Sequence, residues 1–384
     1  MVKFRIGLVG LALVFSLMLS GCWDQRELND LAIVSGVGID LTAEGKYQVS
    51  VQIVKPSAIK SDKDQKSGGS GQAVWVASAE GYTPFEAIRY LNTVAARKPY
   101  FAHSSVVVLG REVAESGVIP ALDFLYRDGE PRLSQWLVVT PGKAVAVLRS
   151  EDGLEKISAM GLEEIVREYG FFSQSLRIDL NDFATRLRSR TTAPIATHIE
   201  VYEDQGTQRA RIIGIAIFKR DRLVGTLDKA ETRGLLWVLG QVESGIMVVN
   251  HPDGRVDLEI MRAQGRIVPE VRNGVPQITV EVAVFSNLAG DSYVGGIATP
   301  ELLATLDRKQ AAIVRNEILA AVVKAQELNV DIFGLGEAIY RRYPREWSKL
   351  EPQWETLFPQ LPIEIEVKSQ VRYIGLTTQK LGPA

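Results

Sequence analysis

The feature that most limits how this chain can fold is its single cysteine. Cys22 is the only cysteine among 384 residues, so no disulfide bond can form within the chain. It follows an apolar run from Ile6 to Leu19, and Lys3 and Arg5 precede that run. The fold must therefore be held by packed apolar side chains and hydrogen bonds, without a covalent cross-link.

The first 22 residues have the layout of a secretory signal. As a helix at ~1.5 Å per residue, the apolar run is shorter than a hydrocarbon core ~30 Å thick, which favours a cleaved signal over a permanent membrane anchor. The ending Leu19-Ser20-Gly21-Cys22 resembles the bacterial lipobox, where cleavage precedes the cysteine. We therefore predict a signal peptide at 1–21 and covalent diacylglyceryl and fatty-acyl lipid on Cys22, with no other cofactor.

Composition and charge exclude several classes of protein. With 46% hydrophobic and 23% charged residues, the chain lies in the ordinary globular range, and its length favours two or three domains. Removal of 1–21 takes two of the 44 basic residues and leaves 42 against 46 acidic ones, a balance of −4. This balance argues against a protein that binds nucleic acid.

Hydrophobic periodicity predicts an N-terminal α/β region over 22–194. Leu31–Asp40 reads as a strand, and a hairpin joins it to the alternating residues Tyr47–Ile53. Residues 60–71 (KSDKDQKSGGSG) form a polar low-complexity segment, which predicts a mobile loop. Strands and helices then alternate to about Pro194.

The remaining chain divides into a middle region, 195–244, and a C-terminal region, 245–384. The middle region is predicted to hold a hairpin and a helix capped by Asp228 and Glu231. The C-terminal region is predicted to be an antiparallel sheet plus a long helix over Pro300–Leu328, with a last strand that joins the sheet. The predicted sheet strands are Gly245–Asn250, Arg255–Met261, Arg266–Val271 and Gln277–Phe285.

The predicted fold class is accordingly α+β, with several domains, three by the divisions above. Mixed and antiparallel sheets are expected to be flanked by helices. The aromatic residues before the last strand favour core packing over a ligand groove. These residues are Tyr340, Tyr343, Trp347, Trp354 and Phe358.

A search for catalytic chemistry finds little. None of the three histidines, His103, His198 and His251, lies in a metal-binding spacing such as HExxH, and no GxSxG motif occurs. The acidic pair Glu163-Glu164 is best explained as a solvated helix face. The sequence therefore predicts a protein that is not an enzyme and has no metal site.

Three blocks of sequence resemble one family. Cys22-Trp23-Asp24 opens the first, which continues to the strand ending at Asp40. The others are GIAIFKRDRLVGTLDKAETRGLLW at 214–237 and AQELNVDIFGLGEAIYRRYPREW at 325–347. Together they resemble the C-subunit lipoproteins of bacterial spore nutrient-germinant receptors, the Ger(x)C family, over essentially the whole mature chain.

This resemblance implies an elongated three-domain α+β protein, lipid-anchored on the outer face of the spore inner membrane. It also implies association with integral-membrane A and permease-like B subunits, no enzymatic activity, and lipidation of Cys22. The third block is the densest in resemblance and is a candidate interface, although a conformational role for its glycines is an equal alternative. The candidate interface residues are Gly334, Gly336, Glu337, Tyr340 and Trp347.

The leading functional hypothesis is thus a non-catalytic, lipid-anchored receptor subunit needed for nutrient-triggered germination. The alternative is a solute-binding lipoprotein of a nutrient importer, which shares the signal and the lipobox. That class needs two similar lobes of repeated βα units, whereas the C-terminal half reads as an antiparallel meander. A lipid-anchored hydrolase is third, because no nucleophile and base pair is apparent.

Overall fold

The computed structural model describes residues 30–59, 73–168, 173–251, 254–291 and 299–372. The predicted signal peptide, Cys22 and the predicted loop 60–71 lie outside the described residues. Within them, helices and strands build two sheets, one mixed and one mainly antiparallel. The α+β fold class predicted from the sequence is confirmed.

The first sheet has nine strands among the described residues, in the order β3-β2-β1-β5-β6-β7-β8-β9, with β4 beside the start of β1. Its centre, β1-β5-β6-β7, is parallel, and its two sides are antiparallel. The strands are β1 Leu31–Leu41, β2 Tyr47–Val54, β3 Val74–Gly81, β4 Lys98–Tyr100, β5 Val106–Leu109, β6 Trp136–Val139, β7 Ile195–Asp204, β8 Thr207–Lys219 and β9 Arg222–Leu227.

Helices make the crossovers that parallel pairing requires. They are α1 Pro84–Val94, α2 Arg111–Ser116, α3 Ile119–Arg127, α4 Ala144–Arg149, α5 Ser158–Arg167 and α6 Leu180–Arg188. Helix α1 begins with a side-chain cap, since the Thr83 hydroxyl accepts the Glu86 N–H at 3.1 Å. The central strands are consequently buried on both faces, which explains their continuous apolar runs.

Two glycines of β1 let the helices approach the sheet. A Cβ at Gly36 would lie 3.0 Å from the Ala159 Cβ on α5, and a Cβ at Gly38 would lie 3.1 Å from Leu148 on α4. The fully buried Gln52 amide donates to the Leu148 carbonyl at 2.7 Å and to the Ser158 hydroxyl at 2.6 Å. Gly36 and Gly38, which lie inside strand β1, therefore serve helix packing.

The strands predicted for the middle region 195–244 extend this first sheet. β6 pairs in parallel with β7, and β7, β8 and β9 then continue the sheet as antiparallel neighbours. Helix α7, Lys229–Leu239, follows with the predicted cap, since Asp228 and Glu231 form a reciprocal capping box. The exact domain boundaries stay a prediction.

The second sheet has four strands in the described residues, in the order β10-β11-β12-β13. The predicted meander is confirmed for its first three strands, but the two predicted strands at 255–261 and 266–271 are one strand, kept continuous by pairing with β12. The last strand joins parallel to β12, because the 28-residue helix α8 carries the chain back to the starting end of β12. The elements are β10 Gly245–His251, β11 Gly254–Arg272, β12 Val275–Asp291, α8 Pro300–Glu327 and β13 Ile363–Arg372.

Helix α7 packs against α8 and connects the two sheets within one apolar core. Gly234 of α7 lies so close to the carbonyl of Glu317 on α8 that a Cβ there would overlap it. The Glu317 carboxylate, 8% exposed, pairs with Arg233 and accepts the Trp237 indole N–H at 2.8 Å. A buried ion pair with all of its groups hydrogen-bonded therefore lies between the sheets.

We predict that Gly234→Ala lowers the free energy of unfolding by about 1–3 kcal/mol, because the added methyl group forces the helices apart. This cost exceeds the ~1 kcal/mol that alanine gains over glycine in a helix. Denaturant unfolding measures it. The control is Gly129→Ala, whose Cβ meets nothing within 4 Å; equal stability of both variants would contradict the close contact.

Candidate functional site

A buried carboxylate organises the turn that follows α8. Asp331 is 7% exposed and accepts four backbone N–H groups. Its Oδ1 accepts from Phe333, Gly334 and Leu335 at 3.2, 2.8 and 3.1 Å, and its Oδ2 accepts from Gly336 at 2.9 Å. These donors include the first N–H groups of helix α9, Leu335–Arg342, so the carboxylate caps that helix.

Burial and hydrogen bonding act on this carboxyl in opposite directions. Burial raises the pKa of Asp331 to about 6, and the four N–H groups only partly offset that rise. Because the pKa of Asp331 is higher in the folded chain than in the unfolded chain, the folded chain binds this proton at a higher pH than the unfolded chain does. The proton-linked part of the contribution of Asp331 to stability is therefore greatest below pH ~4 and is lost as the pH rises through about 6, whereas the four hydrogen bonds to the carboxylate remain at pH 7.

The same turn is docked on the segment between α6 and β7. The Ala193 N–H donates to the Asp331 carbonyl at 2.8 Å. Arg186 of α6 donates from Nη1 to the carbonyls of Ala193 and Ile332, both at 3.2 Å. Burial lowers the pKa of this guanidinium. One main-chain hydrogen bond and two bonds from the Arg186 side chain thus hold the turn against this segment.

Two of the five residues predicted as an interface, Gly334 and Gly336, donate to Asp331 in this docked turn. Gly334 takes a left-handed conformation with φ of 78°, which glycine adopts at little cost. A Cβ at Gly336 would lie 2.8 Å from the Trp347 ring and 3.2 Å from the Thr191 Cβ. The equal alternative, a conformational role for these glycines, is therefore supported by the geometry.

Trp347 is buried in an aromatic cluster. It lies on α10, Pro344–Leu350, and its ring contacts that of Trp354 on α11, Trp354–Leu357, edge to face with centroids 5.2 Å apart. Phe358 lies against Trp354 at 5.8 Å. All three side chains are at most 7% exposed. They form core packing, which is the interpretation that the sequence favoured.

The exposed part of the predicted interface is smaller. Glu337 accepts the Thr191 hydroxyl at 3.2 Å and pairs with Arg341 at 2.8 Å, while its side chain stays 34% exposed. Tyr340 is 50% exposed and stands away from the turn. Beside them lies a cleft of about 460 Å³ whose lining residues are Thr192, Ile267, Pro269, Phe333, Gly334, Glu337, Ala338, Arg341 and Arg342.

The sequence did not single out Asp331, Arg186 or Thr191. The sequence around Asp331 does contain a turn signal, because an aspartate followed within a few residues by glycine is typical of a turn in which the carboxylate accepts backbone N–H groups. Arg186 and Thr191 have none, since they meet the turn only through the fold. The contacts of Asp331, Arg186 and Thr191 identify the site as a structural junction between the turn before α9 and the segment between α6 and β7.

The described residues hold no group of three or more histidine, cysteine, aspartate or glutamate side chains placed to bind a metal ion. Nor does any helix in the described ranges have the length and apolarity needed to cross a membrane.

Fold and site define a class: an α+β protein whose two sheets are joined by a buried capping carboxylate and a buried ion pair. Two family models match the chain. The spore germination protein N-terminal domain matches residues 24–201, and the spore germination B3/GerAC-like C-terminal domain matches residues 213–375. The chain belongs to this spore germination family, which the resemblance to Ger(x)C proteins had indicated.

Individual relatives agree over nearly full length. Spore germination protein KC of Bacillus subtilis is 30% identical, with 95% of each chain covered. Spore germination protein B3 of the same organism is 24% identical, over 94% of this chain and 95% of the relative. The crystal structure of the GerBC protein shares the fold, with a TM-score of 0.58, 19% identity, and coverage of 92% of this chain and 100% of that one.

We predict that Asp331→Asn lowers the free energy of unfolding at pH 7 by about 1–3 kcal/mol, because an amide places a donor against an N–H donor of the turn. Thermal or denaturant unfolding measures the loss. The matched control is Asp179→Asn at the start of α6, where one oxygen accepts the Asp182 N–H and asparagine caps equally well. A loss at Asp179 as large as that at Asp331 would contradict this account of the turn.

Proposed function

We propose that the protein is the lipid-anchored C subunit of a spore germinant receptor, needed for the germination response to a nutrient. The observation that carries the proposal is the collinear similarity to spore germination proteins over 95% of the chain. In this proposal the subunit is not catalytic. It supports assembly or stability of a sensing complex at the spore inner membrane.

The proposed attachment is covalent lipid on Cys22. The support is the apolar run and the small residues that precede this cysteine, the only one in the chain. Two acyl chains hold a protein on a bilayer stably, at ~0.8 kcal/mol per buried CH₂. With the anchor on the outer face of the spore inner membrane, the two sheets lie outside that membrane.

The proposed partners are the integral-membrane A subunit and the permease-like B subunit of the receptor. Among the residues predicted as an interface, Glu337 and Tyr340 are the accessible ones, and Glu337 lines the cleft. Gly334, Gly336 and Trp347 would support that surface from beneath. The exposed helix α9 is thus the part of the junction that offers side chains to another subunit.

A solute-binding lipoprotein remains the competing class, and the topology argues against it. Such a protein has two similar lobes with a ligand cleft at their hinge. Here the described residues build a nine-stranded mixed sheet and a four-stranded sheet with one parallel pair, which are dissimilar. Saturable binding of a nutrient by the purified chain would nevertheless favour that class.

The experiment that tests the proposal uses spores. Deletion of the gene should abolish germination with one class of nutrient and leave germination with others unchanged. Cys22→Ala should move the protein from the membrane to the soluble fraction and weaken the same response. The control is Ala43→Ser, an exposed change in the β1–β2 turn, which should preserve both properties.

Two results would overturn parts of this proposal separately. Normal germination of the deletion strain with every nutrient would end the receptor function. Retention of the Cys22→Ala protein on the membrane, with a full response, would end the lipid anchor.

A further inference from the structure

We propose that the end of the first sheet at which β1 begins lies directly on the lipid bilayer. Ile59, Tyr90 and Val94 would enter the headgroup region, and neighbouring basic side chains would face anionic lipid phosphates. The inference rests on the lipid anchor of the proposed function and adds a second, non-covalent membrane contact. This contact would fix the orientation of the first sheet above the membrane.

The short stretch of chain between Cys22 and the first strand limits how far the start of the first sheet can lie from the membrane surface. Leu31 is the ninth residue after Cys22, and at ~3.3–3.6 Å per residue these nine steps span at most about 30 Å. Strand β1 continues for 11 residues from Leu31 to Leu41, so its far end is roughly 35 Å further away. The end of the sheet at Leu31 is therefore the end held near the bilayer.

Several elements meet at that end. β4 pairs with the start of β1, where Lys98 is opposite Leu31, and paired strands are ~4.8 Å apart. Helix α1 ends at Val94, four residues before Lys98, which places Val94 within about 15 Å of it. Strand β2 runs antiparallel to β1 and also ends here, followed by the short turn of helix Pro56–Ala58 and then Ile59.

This end of the sheet exposes apolar side chains. Ile59 is 40% exposed, and Tyr90 and Val94 are each 50% exposed. Tyr90 and Val94 are one helical turn apart on α1, along the edge of the face that buries Ala87 and Leu91. Tyrosine and branched aliphatic side chains beside basic residues are typical of helices that lie in a membrane interface.

The charges at this end suit an anionic surface. Lys55 and Arg97 are exposed, and neither makes an ion pair with any residue that the structure describes. Lys98 is 3.9 Å from Glu130, which also accepts the Phe101 N–H. Among the described residues, Asp30 directly precedes Leu31 and Glu130 pairs with Lys98, so Lys55, Arg97 and Lys98 outnumber these two carboxylates. Attraction to anionic lipid falls off within a Debye length of ~8 Å, so the contact must be close.

The test uses the full lipidated chain in vesicles of phosphatidylglycerol and phosphatidylcholine in equal parts. Because lipid occupies the Cys22 thiol, a single introduced cysteine is the only free one. Val94→Cys carries an environment-sensitive dye, and the matched control is Ala43→Cys in the β1–β2 turn at the opposite end of β1. Lipids with a nitroxide on the upper acyl chain should quench the dye at Val94→Cys several-fold more than at Ala43→Cys.

The charge contribution is tested on the same probe. Lys55→Gln with Arg97→Gln, combined with Val94→Cys, should lose most of the quenching, and so should vesicles of phosphatidylcholine alone. Flotation with the vesicles should be unchanged in both cases, since the lipid anchor is intact. Thermal unfolding equal to that of the parent chain confirms that the variants are folded.

The outcomes separate this inference from the function on which it rests. If the parent chain does not float, the lipid anchor is wrong and the surface contact falls with it. If the chain floats but the dye at Val94→Cys is quenched no more than at Ala43→Cys, the surface contact alone is wrong. That second result would instead favour a protein partner that contacts the exposed side chains of α1.

Discussion

The structure depends on the buried carboxylate of Asp331 more than on any other single group. Its two oxygens accept from four N–H groups of a turn whose other residues, 332–336, have no side-chain acceptor. Without it, the start of α9 would leave buried N–H groups without acceptors, each at a cost of about 1–3 kcal/mol. The same turn also places the Ile332 carbonyl beside Arg186 and Gly336 against Trp347. The junction between the two sheets is therefore specified by one ionisable side chain.

A second buried charge works with the first. Glu317 is held by Arg233 and by the Trp237 indole, so α7 and α8 remain in contact while the sheets extend on either side. Both carboxylates lie in or against the sequence blocks that resemble the spore germination family, and both are used for architecture. Because these carboxylates stabilise the fold, the family-like sequence blocks need no catalytic group to account for them, and none is apparent in the described residues. What such a scaffold supplies to a receptor is a fixed arrangement of surfaces, which suits a subunit that assembles with others.

Much of this architecture could be predicted from sequence because its signals are local. The capping box at Asp228 and Glu231, the threonine cap of α1, and the apolar stripe of α8 each depend on residues within a few positions of one another. The orientation of β13 could not be predicted, because alternation identifies a strand but does not say which way it runs beside its neighbour. The continuity of β11 through Arg262–Gly265 was missed for a related reason, since pairing with β12 overrides weak local propensity. Asp331 was missed because its role depends on burial, and Arg186 because its partners are 146 and seven residues away.

The central functional claim is that this chain is one subunit of a membrane receptor and not an independent binding protein. The most direct measurement is isolation of the tagged full-length chain from spore inner membranes in mild detergent, with the isolated proteins identified by mass spectrometry. The account predicts that an integral-membrane A subunit and a permease-like B subunit co-purify in constant ratio with it through size exclusion. Elution of the chain alone, with both membrane subunits present in the same extract, would contradict the account.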